Sequence, residues 1–434
     1  MNLMPYIPIL LKYAFQSHIE PRLPNKYISK LTHKRLIKVI GDAYKNVPFY
    51  KEYYDYHNVN VDDIKEIKDI KKLPFLTKEH VRVGFPSKLI RIGTNLEKCY
   101  ISGTTGSTGK SVNFAYSMDT FMFYLTTTFR VATMIGYKPW YKAAYIKYTP
   151  ISFFKIPGLP IFRSYHIPSI AKLEKQMELL RLTKPDFIAG YASIILDMAY
   201  HLTEDDKKII KPKIICLNSE LSTSDERAFI SDAFRCPVYD EYSTEETWMV
   251  ASQCKKGSYH MFLDNVFVEF INDKGEDVKP GEPGEMILTT LRSPIMPFIR
   301  YKIGDIGIYA NKRCTCGRNF TVLKSFEGRA DDAFTLPTGK KVSSLKLLNT
   351  FTKFIKSDPD LMNEFKFVQE GYDRAIIYLV PGSKYDKSRF DCLIDQLNNI
   401  LENTIKIFVK LVDEIDNEGR IKRKAIESKI NKRL

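Results

Sequence analysis

Residues Ser102 to Ser111 read Ser-Gly-Thr-Thr-Gly-Ser-Thr-Gly-Lys-Ser: three glycines, six hydroxyl side chains and one lysine, directly after the strand-like run Cys99-Tyr100-Ile101. Glycines let backbone N–H groups converge on an anion, hydroxyls add donors and Lys110 adds charge, so this composition points to a phosphate cradle. A hydroxyl-rich surface loop is the plain alternative. The ending Gly109-Lys110-Ser111 also invites a Walker reading. That pattern needs four residues between its glycines, whereas five separate Gly103 from Gly109, and Thr104 stands where the first glycine belongs.

A second constellation offers soft ligands. Cys254, His260, Cys314 and Cys316 are separated by five, fifty-three and one residues, and each half lies beside a β-rich run. Two loops could close on one tetrahedral ion, although Cys-x-Cys is not the usual zinc spacing and free cysteines are often core residues. Two carboxylates also stand out, Glu245 and Asp305. Alone, Asp305 after Gly304 reads as a turn residue and Glu245 beside Glu246 as a solvated pair.

These groups need elements to position them. The first hundred residues read as helical, with periodic stretches at 35–48 and 79–83 joined through Leu73-Pro74-Phe75-Leu76-Thr77-Lys78. The apolar segment Thr120 to Ile135 fits a buried helix. Strand-like runs at 143–148, 187–189, 213–217 and 237–239 alternate with helical patterns at 169–182 and 223–234, which implies parallel α/β layers. From about residue 258 the texture turns β-rich, with runs at 266–270 and 285–290 around the Pro/Gly cluster 279–284. After Gly328 the runs 365–368, 375–380 and 405–412 surround a helix over 386–402. The fold class is α/β: a large multi-layer N-terminal domain of mixed sheets and helices over 1–328, and a small mobile α+β domain over 329–434.

Several segments carry a resemblance when taken in order. They are Leu73 to Lys78, the loop at 102–111, Lys184-Pro185-Asp186 with Gly190-Tyr191-Ala192-Ser193, Asn218-Ser219-Glu220, Tyr242-Ser243-Thr244-Glu245, Pro297 to Asp305, and Gly328-Arg329-Ala330-Asp331-Asp332. The series resembles the adenylate-forming (acyl-CoA synthetase) superfamily, and most closely its phenylacetate-CoA ligase branch, including relatives found with capsular polysaccharide genes. Each motif is weak alone; seven in order cover most of the chain.

The resemblance implies ATP-dependent activation of a small carboxylic acid, aryl or otherwise, to an acyl adenylate, followed by transfer to coenzyme A. It implies that Ser102, Gly103, Thr104, Thr105, Gly106, Thr108, Gly109 and Lys110 hold the β and γ phosphates and that Glu245 holds Mg²⁺. By the same resemblance Tyr242 packs on adenine, Ser219 and Glu220 border the base, Thr244 contacts the α-phosphate and Asp305 accepts the ribose hydroxyls, a role suited to two carboxylate oxygens. Ser243 replaces the usual glycine of that motif. Arg329 joins the nucleotide set, and with Asp331 it falls at the interdomain hinge. Arg420 stands where the branch has its C-terminal catalytic lysine, and Lys422 could substitute if the strand register shifts. The branch also carries Cys, His, Cys-x-Cys zinc sites, which implies structural Zn²⁺ on Cys254, His260, Cys314 and Cys316.

Two further readings share these motifs. The acyl group could pass to an amine, a hydroxyl or a carrier thiol in surface polysaccharide biosynthesis, or the chain could bind nucleotide without turnover. Composition narrows the field further. The 434 residues include seven scattered cysteines, against a disulfide framework, and carry a formal charge of +15, which favours acidic partners. The terminal cluster Arg420, Lys422, Arg423, Lys424, Lys429, Lys432, Arg433 lacks interleaved aromatics, so no nucleic-acid partner is expected. No run of about 18 uncharged apolar residues occurs, and Met1 to Phe15 has neither a basic leader nor a small-residue cleavage site, so a cytoplasmic protein without a transmembrane segment is expected. The apolar run Tyr6 to Leu11 fits a helix packed on the body, with a membrane-surface segment as its alternative.

Overall fold

The computed structural model describes residues 4–103, 112–150, 160–357, 360–415 and 424–430. The chain falls into two compact units, one made of Met1–Gly136 with Glu241–Ser325 and the other of Tyr137–Asp240 with Phe326–Leu434.

In the first unit, helices precede an antiparallel sheet. The helix Met118–Ile135 begins where the Ser117 hydroxyl accepts from Thr120 N, and it ends at Gly136 in a left-handed conformation, φ 104°. Its long apolar run is explained by burial on several sides, including packing against the helix Ile7–Ile19. Val266–Ile271 pairs antiparallel with Pro283–Thr290, which pairs with Tyr301–Ala310. Val322–Arg329, Tyr259–Met261 and Trp248–Gln253 continue antiparallel to the second half of the strand Val238–Thr244. The Pro/Gly cluster turns as its residues demand, with Gly281 at φ 95° and the Glu282 carboxylate accepting from Lys279 N.

A buried ion pair fixes two of the motifs to each other. Arg300 donates to both oxygens of Glu269, at 3.1 and 2.8 Å, and to the carbonyl of Leu73 at 2.6 Å. Its guanidinium lies 4.2 Å from the centre of the Phe75 ring. Leu76 N donates to Arg300 O and Lys302 N to Leu76 O. The Leu73 to Lys78 segment is thereby clamped to the strand that carries Asp305.

In the second unit, Ser164–Pro168, Ala143–Lys147, Phe187–Tyr191, Ile214–Asn218 and the start of Val238–Thr244 lie side by side and parallel. Phe187–Tyr191 and Ile214–Asn218 are buried along their whole length, as the continuous apolar runs require. A side chain at Gly190 would meet Ile146 at 2.7 Å, so that position needs glycine. The expected helices are Leu173–Thr183 and Ser224–Phe234, the latter opened by a reciprocal cap between Thr223 and Glu226.

The C-terminal part of this unit has its own core, built on Phe334, Phe351, Phe367, Leu379, Leu393 and neighbours. Its sheet runs Lys406–Leu411, Arg374–Pro381, Met362–Gly371, Ile426–Ser428, the central pair antiparallel and each outer strand parallel to its neighbour. The helix Lys387–Ile400 stops before Glu402 and Asn403, both left-handed. The helix Ser344–Ser357, with Leu347, Phe351 and Phe354 inward, adds an element not read from the sequence. Among the described residues no helix is long and apolar enough to cross a membrane.

Candidate nucleotide site and metal centre

The hydroxyl-rich loop grows from a short hairpin. Tyr100–Gly103 pairs antiparallel with Asn113–Tyr116, placing Gly103 opposite Asn113. A Cβ on Gly103 would sit 2.8 Å from the Asn113 side-chain oxygen and 3.2 Å from the Val112 carbonyl, so a larger residue here would have to displace the Asn113 side chain. Thr104, Thr105, Gly106, Thr108, Gly109 and Lys110 lie outside the described residues, as do Arg420 and Lys422.

Glu245 is brought to the root of this loop. Ser102 Oγ donates to Glu245 Oε2 at 2.7 Å, and Tyr116 Oη donates to the Glu245 carbonyl. Both strands of the hairpin therefore hold one residue, by its side chain and by its backbone. The adjacent carboxylates separate in role: Glu245 is exposed, whereas Glu246 is buried and accepts from Tyr301 Oη at 2.9 Å. An exposed carboxylate can take a hard cation; a buried, hydrogen-bonded one supports the sheet.

Tyr242 and Asp305, sixty-three residues apart, also meet, the phenol donating to Asp305 Oδ2. Ser243 lies at a register shift in the strand pairing, and Thr244 Oγ1 accepts from Thr247 N at 3.0 Å, closing the turn that presents Glu245. Gly304, at φ 82°, precedes Asp305 in its strand. In the first unit the structure thus joins Ser102 to Glu245 and Tyr242 to Asp305.

Ser219, Glu220, Arg329 and Asp331 belong to the second unit. Ser219 is left-handed, φ 69°, and its hydroxyl takes a hydrogen bond from Lys147 Nζ at 3.0 Å while donating to Asn218 Oδ1 at 3.1 Å. Glu220 accepts from Ser193 N at 2.9 Å, which ties the Gly190 to Ser193 block to the Asn218 to Glu220 block. Lys147 is a residue the motif reading passed over. Only its place at the end of a parallel strand, where ligands of such sheets collect, could have marked it.

Arg329 ends the strand Val322–Arg329, and Asp331 lies in the short turn Ala330–Asp332. Gly328 before them has φ 93°, and a Cβ there would fall 1.9 Å from Ser344 Oγ. Asp332 binds Lys424 Nζ at 2.6 Å, the nearest described residue to Arg420 and Lys422. Burial pushes the Asp332 carboxyl above its ordinary value against the pull of Lys424.

The four soft ligands converge. All of their donor atoms lie within 4.8 Å of one another. Cys254 Sγ is 3.7 Å from Cys314 Sγ, and Cys316 Sγ is 3.2 Å from His260 Nε2. Ligands held about 2.0–2.3 Å from one tetrahedral ion stand roughly 3.3–3.8 Å apart, so the cluster has the right size. His260 Nδ1 faces Phe320 O at 3.4 Å, which leaves Nε2 toward the sulfurs. A tight turn through Gly257 aims Cys254, whose amide donates to Ser258 O. Burial pushes the Cys254 thiol up to about 11 and holds His260 down to about 4. Burial also acts upward on Cys314, but hydrogen bonds from Ser258, Cys316 and Cys254 outweigh it and bring that thiol below its ordinary value. A cation bound here would need the thiols deprotonated, so its binding would release protons and strengthen as pH rises.

Residues 334–429 match the CapK C-terminal domain family. The chain is 24% identical over 334 residues to a phenylacetate-coenzyme A ligase of Thermus thermophilus, covering 73% of this chain and 74% of that protein. It is 25% identical over 382 residues to protein CapK of Staphylococcus aureus, covering 83% of this chain and 80% of that protein. A solved 2-hydroxyisobutyryl-CoA ligase, in the postadenylation state with 2-HIB-AMP, superposes with a TM-score of 0.76 at 17% identity, over 91% of this chain and 88% of that one. The chain is thus similar over most of its length to the phenylacetate-CoA ligases and to CapK, and it shares the fold of the solved CoA ligase.

Proposed function

We propose that the chain activates a small carboxylic acid with ATP to an acyl adenylate and then transfers the acyl group to coenzyme A. The observation that carries this reading is the Ser102–Glu245 bond at the root of the hydroxyl-rich loop, with Tyr242 and Asp305 joined in the same unit. In the first step a carboxylate oxygen attacks the α-phosphorus and pyrophosphate leaves; in the second a thiolate attacks the acyl carbon and AMP leaves. Both steps bring anions together, so neutralisation and alignment dominate.

In this reading the loop from Ser102 to Lys110 grips the phosphates, Thr244 meets the α-phosphate, and Tyr242, Ser219 and Glu220 border the base. Asp305 receives the ribose hydroxyls. Glu245 would hold Mg²⁺, which supplies charge neutralisation on the phosphate oxygens. Arg329 and Asp331 lie at the junction between the domains 1–328 and 329–434, and Arg420 or Lys422 supplies the C-terminal cation. Cys254, His260, Cys314 and Cys316 would hold a structural Zn²⁺, since four protein ligands leave no open position for chemistry.

A panel of aryl, hydroxy and amino acids in ATP–pyrophosphate exchange tests the first step. Acid-dependent exchange is expected, and its absence across the panel would leave a non-catalytic nucleotide-binding protein. A second reading has the acyl group pass to an amine, hydroxyl or carrier thiol. It is favoured by the C-terminal match at 334–429, which is to the CapK domain. AMP release with and without coenzyme A separates the two, since turnover driven by an amine alone would select the second.

A further inference from the structure

The helix Ile7–Ile19 is fastened on one side only. Its buried residues are Tyr13 and Ser17; Tyr13 Oη donates to Asp119 Oδ2 at 2.6 Å, and its ring meets Phe123 edge-on at 5.3 Å. Ile7, Leu11, Phe15 and Ile19 recur every fourth residue on the opposite side and are exposed, Leu11 by 64% and Phe15 by 69%. Solvated helix faces normally carry charge, so a stripe of four large apolar side chains marks a docking surface.

The following helix, Asn25–Asn46, supplies the other half of the pattern. It buries Ile28, Leu36, Val39, Ile40 and Ala43, while Lys26, Lys30, Lys34 and Lys38 stand exposed at four-residue spacing along its outer side. The two helices are joined by the short turn Glu20–Arg22. Between Ile7 and Lys38 the sequence holds a single acid, Glu20, and that residue is buried and bidentate to Arg35. Nothing acidic on these two helices offsets the lysine row over that stretch.

We propose that this N-terminal helix pair docks the protein on an anionic bilayer surface, the stripe Ile7, Leu11, Phe15, Ile19 entering the head-group boundary and the lysine row binding lipid phosphates. A second copy seated on the stripe would carry its own lysine row to the contact, and like charges would oppose it. Anionic lipid answers the apolar and the cationic pattern together. The surface is remote in sequence from every residue assigned to the chemistry above.

The full chain is sedimented with vesicles of phosphatidylcholine alone and with added phosphatidylglycerol, at low and raised salt. Binding to the anionic vesicles that weakens with salt is expected. Leu11→Asp with Phe15→Asp should lower the partition coefficient at least about tenfold with an unchanged Tm, because both side chains are exposed. Lys26→Glu with Lys30→Glu and Lys34→Glu should lower it as far and remove the salt dependence. Equal binding to both vesicle types, no binding to either, or full binding by both variants would overturn the proposal. So would a dimer, seen by light scattering, that the Leu11/Phe15 variant abolishes while vesicles remain unbound.

Discussion

Glu245 and Glu246 are neighbours with opposite surroundings, and that contrast decides what each can do. Glu246 is enclosed and hydrogen-bonded to Tyr301, while Glu245 is exposed and held by Ser102 and Tyr116. Glu245→Gln keeps the shape and removes the charge. Pyrophosphate exchange should fall about 100-fold, with Tm unchanged, and Glu246→Gln should instead lower Tm. Only motif order singled out Glu245, since nothing local in the sequence tells one glutamate from the other. Lys147 was not legible, because its role depends on a parallel strand ending beside Ser219, a relation that spacing along the chain does not carry.

Among the elements, the strand Tyr301–Ala310 depends on a segment more than two hundred residues earlier. Arg300 donates to the carbonyls of Lys71 and Leu73 and is paired with buried Glu269. Removing one member of a buried pair leaves the other uncompensated, so Arg300→Ala should destabilise by about 3–5 kcal/mol in denaturant titration. The effect reaches Asp305 through the strand, and nucleotide affinity should drop in the same variant. The metal cluster offers a separate test: Cys254→Ser should abolish one equivalent of bound zinc by elemental analysis and lower Tm, and a chelator should reproduce the shift on the unaltered chain.

Element types were largely readable. The parallel strands announced themselves as buried apolar runs, and the helix Met118–Ile135 as a long, mainly apolar segment. The helix Ser344–Ser357 has Leu347, Phe351 and Phe354 at helical spacing, but the Lys and Thr residues between them leave no apolar segment in the sequence to mark it. Pairing partners were not readable. The antiparallel register of Val266–Ile271 with Pro283–Thr290 follows from a turn, but the joining of Tyr259–Met261 to Val322–Arg329 rests on long-range packing alone.

For the molecule as a whole, Gly328 is the position where one atom matters most. Glycine there adopts φ 93°, and a Cβ would collide with Ser344 Oγ. Gly328→Ala should cost about 1–2 kcal/mol from the left-handed backbone alone, plus the collision. Ser344→Ala in the same chain should recover the collision part and leave the backbone part, a difference that paired Tm measurements resolve. If Gly328 also serves in the hinge proposed for Arg329 and Asp331, thioester formation should suffer more than pyrophosphate exchange.

If the clustered residues 254, 260, 314 and 316 hold the proposed ion, the residues between His260 and Cys314 form a closed ring. That ring contains the strands Val266–Ile271, Pro283–Thr290 and Tyr301–Ala310, and hence Asp305. During synthesis the first two ligands emerge well before the last two, and they must wait until every enclosed strand has left the ribosome. Capture of that ion would then report that this meander is finished, and a chain stalled inside it could not be sealed.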